Sequence, residues 1–149
     1  MSLQKEVMVK LKEAMKSKDK VALESLRAIK SAILLAQTET GVKEELTKDK
    51  ELKLVQKLVK QRKDSAVLFS EQGREDLAEP ELAQAMVISQ FLPEQMSDEA
   101  VKEVILGVIS QTGAAGMNDM GKVMGMASGK LSGKADGKTI SVIVKALLS

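Results

Sequence analysis

Apolar residues in this chain recur at intervals of three and four, and no stretch alternates with a period of two. Side chains on one face of a strand repeat every second residue, whereas those on one face of a helix repeat every 3.6. The pattern therefore admits helices and leaves no run from which to build a sheet. The expectation is an all-α chain, with an N-terminal bundle of about four helices and a small C-terminal unit of three. At 149 residues it is one domain, or two small ones. A chain of this length buries about two-thirds of its unfolded surface and folds without a metal or a disulfide.

The stripes place the helices. Leu3, Val7, Leu11, Ala14 and Met15 share one face over residues 3–16. Asp19 can cap a second helix that points Ala22, Leu26, Ile29, Ile33 and Ala36 inward and ends at Gly41, before a charged loop over Lys43–Leu46. Thr47 opens a third helix reaching Phe69 or slightly past it, with Leu52, Val55, Val59, Ala66 and Phe69 as its stripe and Arg62 interrupting that face. Pro is best tolerated in the first turn of a helix, so Pro80 sets the regular part of a fourth helix near Glu79. Leu82, Met86 and Phe91 would face its core. Pro93 ends that helix, because the residue before a proline avoids the α region. The expected division is an N-terminal domain over residues 1–92, a short linker over 93–96 and a C-terminal domain over 97–149. Ser97 caps the first C-terminal helix, which carries Val101, Val104, Ile105 and Val108 and stops at Gly113.

The C-terminal part holds the most unusual composition. Eight of the ten glycines fall between Gly107 and Gly137. Asn118 is the expected cap of a helix lined by Met120, Val123, Met124, Ala127 and Leu131. Its other face carries Gly121, Gly125 and Gly129, each of which weakens a helix by roughly 1 kcal/mol relative to alanine. Such a strip lets something approach the backbone, either another helix or a polynucleotide backbone or other ligand. Asp136 caps a last helix with Ile140, Ile143, Val144 and Leu147 inside. The turn before it, Ser132–Ala135, is small and basic and precedes a helix N-terminus, where free N–H groups and the dipole favour an anion.

Charge is distributed unevenly. Residues 1–30 carry a net +4, residues 31–100 a net −5 and residues 101–149 a net +3, which add to the overall +2. Arg27, Lys30 and Arg62 are secondary candidates for a polar functional surface. The chain has no histidine and no cysteine. The Ser-His-Asp and Cys-His arrangements are therefore impossible, and no metal site or cofactor is expected. Glu75, Asp76 and Glu79 cluster, but acids at a helix start are explained by the dipole alone. Gly133 to Thr139 imitates a phosphate-binding loop and fails on spacing, with three residues between its glycines where four are needed. The only aromatic residues are Phe69 and Phe91, at core-like positions, so base stacking is not the expected mode of any nucleic-acid contact.

The run TGAAGMNDMGKVMG, followed by KLSGKADGK and an apolar helix, resembles the C-terminal signature of the YqeY-like family. KDKVALESLRAIKSAI, VKQRKDSAVLF, GREDLAE and FLPEQMS follow the same family order upstream, so the resemblance covers essentially the whole chain. Ser128-Gly129 and Pro80 depart from the family's usual pattern, which bears on helix ends. The family is similar to the C-terminal tail of the B subunit of the glutamyl/aspartyl-tRNA amidotransferase. That resemblance implies recognition of tRNA, or another folded RNA, by its outer shape. It implies the matching residues Lys122, Lys130, Lys134 and Lys138 as contacts, with Gly121 and Gly125 allowing close approach. It also implies a bacterial accessory to amidotransfer, working with an amidotransferase or synthetase partner protein and without recognisable catalytic residues of its own. The alternative is a protein-interaction adaptor with an apolar groove between the two helical units. With no apolar run near 18 residues and no cysteine, the expected setting is the cytoplasm, away from membranes.

Overall fold

The computed structural model describes residues 2–39 and 45–149. Gly41 and the first half of the loop expected over Lys43–Leu46 lie outside them. The described residues form seven α-helices: α1 (Leu3–Ser17), α2 (Lys20–Glu39), α3 (Lys48–Glu71), α4 (Glu75–Ser89), α5 (Asp98–Thr112), α6 (Met120–Lys130) and α7 (Gly137–Leu148), with a 3-10 turn over Met117–Asp119. They contain no strand.

Short polar side chains set where most of these helices begin. Ser2, Thr47, Ser97 and Asp136 precede α1, α3, α5 and α7 in extended backbone. Each accepts the N–H three residues on, from Lys5 at 3.3 Å, Lys50 at 3.3 Å, Ala100 at 3.2 Å and Thr139 at 2.7 Å. Asp19 does the same for α2 through the N–H of Ala22, at 3.1 Å. These bonds satisfy donors that have no partner inside the helix. Gly113 closes α5 in the left-handed region, at φ 70°, where glycine carries no Cβ penalty.

The chain divides into two compact units, Met1–Leu92 and Pro93–Ser149. In the first, Leu3, Val7 and Leu11 of α1 meet Leu26, Ile29 and Ile33 of α2, Val55 and Val59 of α3, and Ala85 and Ile88 of α4 in one aliphatic cluster. α3 and α4 pack along one another. Ala66 and Ala78 are also buried on these helices, outside that cluster. Glu51 is the buried charge of this unit, only 8% exposed. Its Oε1 accepts the N–H of Leu3 at 3.4 Å. It stands in the first turn of α3 and bonds the first turn of α1, tying the starts of the two helices together.

The structure corrects the expectation for α4. The helix begins at Glu75 rather than near Glu79, and Pro80 lies inside it. The bond that Pro80 cannot make is to the carbonyl of Asp76, and both residues are exposed, so water can satisfy that oxygen. Leu82 and Met86 do not face the core either, being 48% and 77% exposed. Ala78, Ala85 and Ile88 are buried instead. The helix carries two apolar stripes, and the one with the smaller side chains allows the closer approach of α3. Phe91 is half-buried against the cluster, while Met15 of α1 is 59% exposed.

In the second unit Val101, Ile105 and Val108 of α5, Val123 and Ala127 of α6, and Ile140, Val144 and Leu148 of α7 form a separate cluster closed by Leu131 and Ala135. Asn118 is not the cap of α6. It sits in the 3-10 turn that leads into the helix. The position before α6 is held by Asp119, whose Oδ2 accepts the N–H of Ala115 at 3.1 Å and so braces the preceding loop.

Replacing Glu51 by Ala should destabilise the protein by about 1–3 kcal/mol, because it removes the acceptor of a buried N–H. Urea unfolding followed by circular dichroism measures this, and Glu51→Gln, which keeps an acceptor oxygen, should recover part of the loss.

Candidate nucleic-acid interface

α6 buries Val123 and Ala127. At 3.6 residues per turn Gly125 stands about 160° from both, on the side away from the core. Gly121 and Gly129 flank it one turn to either side, and all three are exposed. A Cβ added at any of them meets no atom within 4 Å. None has a positive φ either; that is found at Gly73, Gly113 and Gly133. Neither backbone conformation nor packing by another helix of the C-terminal unit therefore accounts for the strip. Of the two readings of the glycine spacing, the packed helix finds no occupant within the C-terminal unit, and the open face remains.

Lys122, Lys130, Lys134 and Lys138 are all exposed. Lys122 lies about 60° round α6 from Gly125, on the edge of the strip. Lys130 points the other way, its Nζ reaching Oε1 of Gln111 on α5 at 3.5 Å. Lys134 and Lys138 belong to the α6–α7 turn and the first turn of α7. The strip and Lys122 thus share one face of α6, while Lys130 lies near its border with α5.

The α6–α7 turn is held more firmly than its small residues suggested. Gly133 is buried and takes φ 76°. The N–H of Lys134 bonds the carbonyl of Leu131 at 2.9 Å, and the carbonyl of Lys134 accepts the N–H of Met96 at 2.9 Å. Nε2 of Gln95 donates to the carbonyl of Gly133 at 2.7 Å. The segment Pro93–Met96 is therefore fastened to this turn. These bonds bridge 38 residues for Gln95 and Gly133, and nothing local in the sequence announces them. The anion site expected at the start of α7 is occupied by the chain's own carboxylate, because Oδ1 of Asp136 accepts the N–H of Thr139. A phosphate near this turn would be met by the Lys134 and Lys138 ammonium groups rather than by the helix end.

The secondary candidates lie in the other unit. Arg62 is half-buried and engaged, with Nε donating to Oε1 of Gln84 at 3.2 Å and Nη1 to the carbonyl of Leu58 at 3.3 Å. Gln84 passes the connection on to Oε2 of Glu24 at 3.3 Å, so Arg62 ties α2, α3 and α4 together. Arg27 is exposed and Lys30 half-buried on α2. At the start of α4 the Arg74 guanidinium bonds Oδ1 and Oδ2 of Asp76, both at 3.0 Å. That pairing holds the Asp76 carboxyl below the usual carboxylate range. A carboxyl held low is ionised at neutral pH and is a poor proton donor there. Among the described residues no three carboxylates are grouped so as to hold a metal ion, and no helix is long and apolar enough to cross a membrane.

The family model described as Yqey-like protein matches residues 4–148. Two curated relatives carry the name Altered inheritance of mitochondria protein 41, mitochondrial. The one from Clavispora lusitaniae is 33% identical over 112 residues, covering 74% of this chain and 64% of the relative. The one from Pyrenophora tritici-repentis is 36% identical over 121 residues, covering 76% of this chain and 65% of the relative. The chain thus spans slightly less than two-thirds of the length of these relatives. Their names overturn the cytoplasmic expectation, since both are named as mitochondrial, and as fungal proteins they lend no support to a bacterial origin. The physical reason is plain: lack of a long apolar run and of cysteine describes a helical body equally at home in either compartment.

Because the strip is open, Gly125→Ala should raise stability by about 0.5–1 kcal/mol through helix propensity alone. Urea unfolding checks it. A loss of stability would mean that the face is covered within the folded chain.

Proposed function

Because the chain belongs to the YqeY-like family, we propose that it is a helical module that binds tRNA or another folded RNA by shape and charge through its C-terminal unit. The proposal extends to an accessory role in tRNA-dependent amidotransfer, beside an amidotransferase or synthetase partner. The observation that carries the RNA reading is the open face of α6. Three glycines weaken that helix, nothing in the C-terminal unit rests on them, and Lys122 stands at their edge. A backbone without side chains lets a phosphate–sugar ridge come close, and lysine neutralises phosphate without reading sequence. The half-buried positions of Phe69 and Phe91 favour a folded RNA over stacking on single-stranded bases.

On this reading affinity falls with salt for all tRNAs alike. Replacing Lys134 and Lys138 together by Ala should lower the slope of log K against log salt by about one to two units, one for each phosphate no longer neutralised. Filter binding with total tRNA at several salt concentrations reads that slope. Gly125→Leu should weaken binding while the helical signal survives. Salt-independent binding, or none at low salt by folded protein, would overturn the proposal.

A further inference from the structure

α2 and α3 touch each other far less than either touches α4, and a groove of about 380 Å³ opens between their exposed sides. Its floor is apolar, made by Ala32, Leu35 and Ala36 of α2 and by Leu54 and Leu58 of α3. Leu35 is 62% exposed and its neighbour Leu34 is 47% exposed. The rim on α3 is basic. Lys53 and Lys57 stand one turn apart along it, and Glu39 marks the far end of the α2 side. Among the described residues Lys53 is paired with its own neighbour Asp49, at 3.2 Å and with both side chains exposed. Lys57 has no ion pair among the described residues.

We propose that this groove docks an amphipathic helix of a partner protein, one that presents an apolar stripe flanked by carboxylates. A groove between two helices with an apolar floor suits a third helix, which anchors through side chains at i, i+4 and i+7. The apolar floor offers nothing to a phosphate backbone, so an RNA is a poor occupant. The lysine rim selects the sign of the partner's flank by charge complementarity, and it excludes a helix whose flank is basic. The site lies wholly in the N-terminal unit, so it is independent of the RNA-binding reading.

The full chain titrated with two designed helical peptides tests this. One carries leucines at i, i+4 and i+7 with glutamates along one flank, and the other has lysine at each glutamate position. The acidic peptide should bind and shift the amide resonances of Leu35, Ala36 and Leu54, and the basic one should bind at least about tenfold more weakly. Lys53→Glu with Lys57→Glu should invert that preference. All three positions of the variants used are exposed, so Leu35→Ser should keep the helical signal while abolishing binding. Equal binding of both peptides, or charge reversal without effect, would overturn the proposal. So would a self-association in sedimentation equilibrium that Leu35→Ser dissolves, because the occupant would then be a second copy of this chain.

Discussion

Everything in this molecule depends on helices that each bury a single aliphatic stripe, even where, as on α4, a second apolar stripe is present. With no tryptophan or tyrosine and two phenylalanines, the cores are built from Val, Ile, Leu and Ala, in one cluster per unit. A stripe of that kind fills about a third of a helix surface and leaves the opposite face without an internal partner. The second cluster is small, so Leu131 and Ala135 of the α6–α7 turn are drawn into it alongside the helices. Both residues are buried there.

The same constraint explains why the outward faces differ so much. On α6 the outer side is glycine beside lysine, a surface that admits a close and charged ligand. On α2 it is alanine and leucine facing a basic rim on α3, a surface that admits an apolar and acidic one. Arg62, by contrast, stands at a helix border and is used to connect α3 to α4 and, through Gln84, to α2. Its half-buried guanidinium donates to two oxygens within this unit.

Legibility followed the range of the interactions involved. Ser2, Thr47, Ser97 and Asp136 act on N–H groups three residues away, so the starts of their helices are legible locally. Leu26, Ile29, Ile33, Val101, Ile105 and Val108 recur at three and four residues along their helices, and they are buried as that spacing implies. α4 defeats a local reading because it carries a competing stripe. Leu82 and Met86 are larger and more apolar than Ala78 and Ala85, but size works against burial where α3 must come close. Asn118 defeats it because a 3-10 turn intervenes before α6.

By itself the sequence determined that this chain is helical, where most of its helices start, and which four-residue spacing leaves α6 bare, because periodicity, capping and propensity act within a turn or two. Tertiary structure alone decided that nothing in the C-terminal unit covers Gly121, Gly125 and Gly129. It alone fastened Gln95 and Met96 to the turn at Gly133 and Lys134. It alone opened a groove between α2 and α3. Each of these depends on which elements meet across long separations in the chain, and a local pattern carries no record of what stands opposite it.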